Sequence, residues 1–141
     1  MRTNTLHMSF HDLKGYQVTR DCMQIYLEAY AGEQASLVFI AANEAIYNAL
    51  VHGCRMDPAK RVEIKLSIQN QKRLLLRIQD EGTGLQRIDF ASLQKDDYTP
   101  DDTALYGESG RGLLIISKVF DRVLVGRESN QLLLIKNFPN G

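Results

Sequence analysis

Residues Arg61-Val-Glu-Ile-Lys-Leu-Ser-Ile68 alternate between polar and apolar without a break. After the polar turn Asn70-Gln-Lys-Arg73, a second run returns as Leu74-Leu-Leu-Arg-Ile-Gln79. A period of two puts the apolar side chains of a strand on one face. Two such runs around a short turn predict a hairpin with one face needing cover. Arg122-Val-Leu-Val-Gly-Arg-Glu128 and Gln131-Leu-Leu-Leu-Ile-Lys136 read the same way around Ser129-Asn130. Helical periodicity supplies the cover. Asp12 to Tyr30 predicts a helix with Val18, Cys22, Ile25, Tyr26 and Ala29 on its apolar face. Glu33 to His52 predicts a longer one, with Leu37, Ile40, Ala41, Ala45, Leu50 and Val51 as core candidates and Gly53 as its C-terminal cap. Leu113 to Phe120 predicts a third, and Thr5 to Phe10 a short first strand. That order predicts an α+β fold, a two-layer sandwich with a mixed, mostly antiparallel sheet and helices on one face.

At 141 residues, 44% hydrophobic and 24% charged, the chain suits one globular domain over 1–141. Its formal net charge is zero. Nothing global therefore favours nucleic acid or a membrane surface as a partner. The N-terminus lacks the apolar core of a signal peptide, and no apolar run reaches the length of a membrane span. Cys22 and Cys54 share no short metal spacing, so free thiols and a cytoplasmic location are expected. Leu85 to Ser109 has no sustained apolar period and carries Asp89, Asp96, Asp97, Asp101, Asp102 and Glu108. A stretch of that length reads as a functional lid. Its acids suit either a basic partner or plain solvation.

Three features carry chemistry. Glu44, Asn48 and His52 recur every fourth residue, which stacks a carboxylate, a carboxamide and an imidazole on one helix face. Asp80-Glu-Gly-Thr-Gly84 ends the second alternating run, and Gly110-Arg-Gly112 opens an apolar helix. Together they suit a nucleotide site with a metal ligand, a base reader and a phosphate cradle.

In this order the three features resemble the GHKL nucleotide-binding family of histidine kinases, gyrase B, Hsp90 and MutL. The helix resembles the family's N box, and the two glycine turns resemble its first and second glycine boxes. Size and details resemble most the anti-sigma-factor serine/threonine kinases of bacterial partner-switching systems. The resemblance implies a Bergerat-type ATP-binding fold, with an ATP lid at 85–109. It implies that Asn48 coordinates Mg²⁺ beside the phosphates of ATP, and that Glu44 is the general base. His52 would touch phosphate or metal water, or simply the helix end. Asp80 would read adenine, with Gly82 and Gly84 letting backbone approach the base and sugar. Gly110, Arg111 and Gly112 would cradle phosphate, with Arg111 facing either the phosphate or solvent. Arg20 would assist phosphoryl transfer. The implied partners are an antagonist protein as phosphoryl acceptor and a sigma factor, and family analogy suggests a homodimer. Where many members carry a Gly-Thr pair before the last strand, this chain reads Glu128-Ser-Asn-Gln-Leu132.

A second reading is a non-catalytic regulatory binding module of the same fold. A third is the detached ATPase half of a histidine kinase, with His7 or His11 as acceptor, although no dimerising hairpin precedes the N box.

Overall fold

The computed structural model describes residues 3–82, 108–126 and 130–138. Its strands are β1 (Thr3–Phe10), β2 (Val62–Gln69), β3 (Arg73–Asp80), β4 (Arg122–Val125) and β5 (Gln131–Asn137). They form one sheet in the order β1-β2-β3-β5-β4. The helices are α1 (Leu13–Tyr30), α2 (Ala35–Asn48) and α3 (Glu108–Val119). The α+β expectation holds, and every described strand pair is antiparallel rather than mixed. Two helices lie between β1 and β2. An even number returns the chain to the end it left, so β2 runs against β1.

The register sorts the sheet into two faces. One inner row runs Leu6, Leu66, Leu76, Leu134, Val123 across all five strands. The next runs Met8, Ile64, Ile78, Leu132, Val125. Apart from Val125, which is exposed, these rows join the helices in a single core with Met23, Leu27, Val38, Ile46 and Ile116. A third inner row begins Phe10, Val62 and then reaches Asp80. A carboxylate thus stands where the alternation places an apolar side chain.

The helices depart from expectation in several ways. Asp12 does open α1, its carboxylate accepting the N–H of Gly15 at 2.7 Å. The buried face, however, is Tyr16, Thr19, Met23, Tyr26 and Leu27, while Val18 and Ile25 are exposed. On α2 the buried side chains are mostly small: Ala35, Val38, Ala41, Ala42, Ala45 and Ile46. Leu37 and Ile40 are exposed. Small side chains let helix backbones approach closely, and that contact outweighs the larger transfer energy of a leucine facing outward.

The second helix is also not continuous from Glu33 to His52. A 3₁₀ turn covers Gly32–Gln34, and a π-turn covers Ala49–Gly53. The chain reverses afterwards at Arg55 and Met56, both left-handed at φ 54° and 60°. Gly53 therefore does not serve as the left-handed cap. Finally, α3 begins at Glu108, five residues before Leu113. The expected lid at 85–109 lies almost wholly outside the described residues, and its last two positions belong to α3. Among the described residues no helix is long and apolar enough to cross a membrane.

The β2–β3 turn places Asn70 and Gln71 at φ 52° and 59°, and the Lys72 N–H bonds back to the Gln69 carbonyl at 2.9 Å. This is the mirror-image turn that suits twisted hairpins, for which Asn-Gly is the favoured pair. A non-glycine residue in that region is strained by about 1–2 kcal/mol, against a smaller entropic cost for glycine. Gln71→Gly should therefore stabilise the fold by about 0.5–1 kcal/mol. An unchanged or lower midpoint in urea unfolding would count against the turn geometry.

Candidate functional site

The end of β3, the end of α2 and the β4–β5 hairpin meet around Asp80. Its residue is 4% exposed, and its Oδ1 accepts the Gly82 N–H at 2.9 Å. Burying a carboxylate costs heavily unless donors meet it. Asn130 brackets the same residue through the backbone. The Asp80 N–H donates to the Asn130 carbonyl at 3.0 Å, and Asn130 Nδ2 donates to the Asp80 carbonyl at 3.1 Å.

Two glycines let the α2 end close on this turn. A Cβ added at Gly53 would lie 2.7 Å from Asp80 Oδ2. One added at Gly82 would lie 1.8 Å from the Gly53 carbonyl oxygen and 2.3 Å from its carbon. The family resemblance implies that Gly82 admits a ligand. In the structure the space of its missing side chain is taken by the backbone of Gly53, so Gly82 joins the two halves of the site.

A narrow pocket of about 10 Å³ opens beside Asp80. Ala45 and Ala49 line it from the α2 side, Ile78 and Asp80 from β3, and Val125, Asn130 and Leu132 from the hairpin. That is room for about one water, with apolar walls and one carboxylate. A carboxylate there can accept hydrogen bonds from an exocyclic amine.

Asn48 closes α2 and is 4% exposed, and its Nδ2 has no hydrogen-bond partner. A buried amide atom left unpaired is costly. A half-turn of the amide exchanges its nitrogen and oxygen. Turned that way, the amide presents an oxygen in place of its unpaired nitrogen, a suitable donor for a hard cation. The chemistry of this donor fits Mg²⁺. No group of three or more His, Cys, Asp or Glu side chains that could hold a metal occurs among the described residues.

One turn before Asn48, Glu44 lies half-buried on the α1 side. Tyr16 links it to Arg20. The Tyr16 hydroxyl donates to Asn43 Oδ1 at 3.1 Å, and its ring stacks at a tilt on Tyr47 with centroids 5.6 Å apart. The Arg20 guanidinium sits 6.0 Å from the Tyr16 ring centre. Burial raises the Tyr16 phenol pKa, the Arg20 charge opposes that rise and Glu44 adds to it. The structure thus brings Arg20 and Glu44 to the same tyrosine.

Other expected residues are placed less fully. His52 falls in the π-turn, and its side chain lies outside the described residues, as does Gly84. Gly110, Arg111 and Gly112 are inside α3 rather than ahead of it. Only the first few N–H groups of a helix are free. Gly110 keeps that capacity, whereas the N–H of Gly112, the fifth residue, is committed to the helix. Sequence reasoning missed Asn130 and the pocket role of Ala45 and Ala49. The alanines had a readable signal, since they recur at i and i+4 on the helix that carries Glu44 and Asn48.

Gly82→Ala should destabilise the protein by about 1–3 kcal/mol, because backbone rather than a flexible side chain occupies the space. An unchanged thermal midpoint would show that the two turns are not in contact. Cys54, 1% exposed, sits behind this junction, and burial, aided by the Asp80 charge, pushes its thiol pKa up from the ordinary 9.0. A raised folded pKa stabilises fully below the unfolded value and is lost as pH rises through the folded one. Stability should fall with pH above about 9, and less steeply in Cys54→Ala. Iodoacetamide should label Cys22, the more accessible of the two free thiols, well before Cys54.

The model of one protein family, the histidine kinase-like ATPase domain, matches residues 17–136. No curated protein matches the chain. The matched span runs from within α1 to the penultimate residue of β5 and includes every described site residue except Tyr16. With its antiparallel sheet, its covering helices and the Asp80 pocket beside α2, the chain belongs to the histidine kinase-like ATPase domain family, a GHKL-type ATP-binding fold.

Proposed function

We propose that this chain is an ATP-dependent protein serine/threonine kinase of the anti-sigma-factor kind. It would phosphorylate an antagonist protein and, in its other state, hold a sigma factor or similar regulator. One observation carries the reading. Within little more than one turn of a single helix lie a wall of the Asp80 pocket (Ala45, Ala49), an unpaired buried amide (Asn48) and a half-buried carboxylate (Glu44) beside an arginine-bearing tyrosine. That is the set a phosphoryl transfer needs: a wall for the base, a metal ligand and a proton acceptor.

In this reading Asp80 accepts from the adenine amine, and the oxygen of Asn48 meets Mg²⁺ that arrives with the triphosphate. Mg²⁺ when bound neutralises phosphate charge. A serine or threonine hydroxyl of the antagonist attacks the γ-phosphorus, and its proton passes to Glu44. The bond from the γ-phosphorus to the β,γ-bridging oxygen breaks, and ADP leaves. Arg20, held near Glu44 by Tyr16, offsets charge on the transferred group.

Calorimetry with Mg·ATP tests the site. Wild type should bind in the micromolar range, and Asn48→Ala and Asp80→Asn should each weaken binding by about tenfold or more, the worth of a charge-assisted contact. No binding by folded wild type would overturn the reading. With an antagonist protein as acceptor, Glu44→Gln should slow phosphate transfer by about a hundredfold while leaving ATP affinity nearly intact. ATP binding without transfer to any antagonist would make the chain a regulatory binding module.

A further inference from the structure

We propose that the open face of the sheet, opposite the helices, is a docking surface for an acidic protein segment that also carries apolar side chains. The register lays this face out in rows. One row reads His7, Lys65, Arg77, Leu133, Leu124 from β1 to β4. The next reads Thr5, Ser67, Leu75, Ile135, Arg122. The first row is graded, cationic over β2 and β3 and apolar over β5 and β4, while the second carries Leu75 on β3 and a further cation, Arg122, on β4.

Its charge is one-sided. Lys65, Arg77 and Arg122 are exposed and have no carboxylate partner among the described residues. Arg73, on the same face, donates to Asn137 at 3.1 Å and has no carboxylate partner among the described residues. The one acid on this face of β2 and β3, Glu63, pairs with His7 at 3.4 Å. Lys65 and Arg77 are direct cross-strand partners. Like charges placed opposite one another destabilise a sheet. Carboxylates from outside would relieve that repulsion, and an apolar partner would cover Leu124, 41% exposed, and the half-buried Leu133.

The ground is concave as well. A groove of about 200 Å³ runs between Arg77, Leu124, Gly126, Gln131 and Leu133. Neighbouring strands are about 4.8 Å apart, so the cations lie about 5–10 Å from the leucines. A segment that matches must carry carboxylates one to two strand spacings from its apolar side chains. Nucleic acid fits poorly, because its phosphates would face exposed leucines with nothing to cover them, in a chain of zero net charge.

The probe is a short fluorescein-labelled peptide of alternating Asp and Leu, with a Lys–Leu peptide beside it, followed by anisotropy. The acidic peptide should bind wild type and be weakened roughly tenfold by Lys65→Glu with Arg77→Glu, and by added salt. Leu124→Ser, at an exposed position, should weaken it several-fold. Asn48→Ala should leave it unchanged, which separates this surface from the nucleotide site. No binding, equal binding of the Lys–Leu peptide, or indifference to charge reversal would overturn the proposal. So would a wild-type dimer in sedimentation equilibrium that Leu124→Ser dissolves, since a second copy would then cover the face. Binding confined to anionic vesicles or duplex DNA would overturn it too.

Discussion

The site depends on one contact between two pieces of backbone. The turn after β3 and the π-turn after α2 touch at Gly82 and Gly53, closer than any side chain would allow. That contact fixes how far the sheet's end lies from the helix that carries Glu44 and Asn48. It also shuts Asp80 in on one side, because the Gly53 backbone crowds the carboxylate. The Gly82 N–H then supplies one of the hydrogen bonds that the buried carboxylate requires. A charge is kept where the sheet's alternation would bury an apolar side chain, and it is kept beside an open pocket. Such arrangements break the local pattern at a cost in stability, and that cost makes them informative about function.

The π-turn arises from the same constraint. An α-helix continued to His52 would keep Glu44, Asn48 and His52 on one face. Instead the last turn widens, and the Cys54 N–H bonds to the Ala49 carbonyl at 2.8 Å. A π-turn absorbs one extra residue and rotates the chain beyond it. Here it moves Gly53 into contact with Asp80 while Asn48 stays buried at the end of the regular helix. Wide turns of this kind recur at functional sites because they re-aim the backbone without ending the helix abruptly.

Much of the sheet was legible from the sequence, because a period of two leaves little choice of face or partner. Both hairpins lie where alternation puts them, and Asp80 could be located as the residue on which the second run ends. The Asp12 cap was legible for a similarly local reason. The helix faces were not. Val18, Ile25, Leu37 and Ile40 are large and apolar and lie outside, while alanines fill the contact surface of α2. Hydrophobicity ranks residues by transfer energy, but the close approach of a helix ranks them by size, and no single helix's sequence says which wins. Asn130 was hidden because its contribution lies in two backbone-directed bonds to Asp80, across fifty residues of chain. The start of α3 escapes the periodicity because Gly110 and Gly112 are poor helix formers in isolation. Near a helix's first turn their cost is smaller, since several of the N–H groups there have no helical partner to lose.

The β4–β5 hairpin belongs to both faces of the molecule. Val125 and Leu132 point inward beside Asp80, while Leu124 and Leu133, their chain neighbours, point outward. Val125, Gln131 and Leu132 border both the Asp80 pocket and the outer groove. A strand cannot shift one of its faces without the other, because successive side chains share one pleated backbone. A displacement of the hairpin caused by a load on the open face is therefore a displacement of the pocket wall. The inner end of the hairpin is anchored at Asp80 through both hydrogen bonds of Asn130. Movement is resisted there and is easier toward β4, the short edge strand with a single neighbour. Coupling between the two faces would thus be carried by Val125 and Leu132 rather than by Asp80. Asp80 would stay fixed while the apolar wall opposite it adjusts.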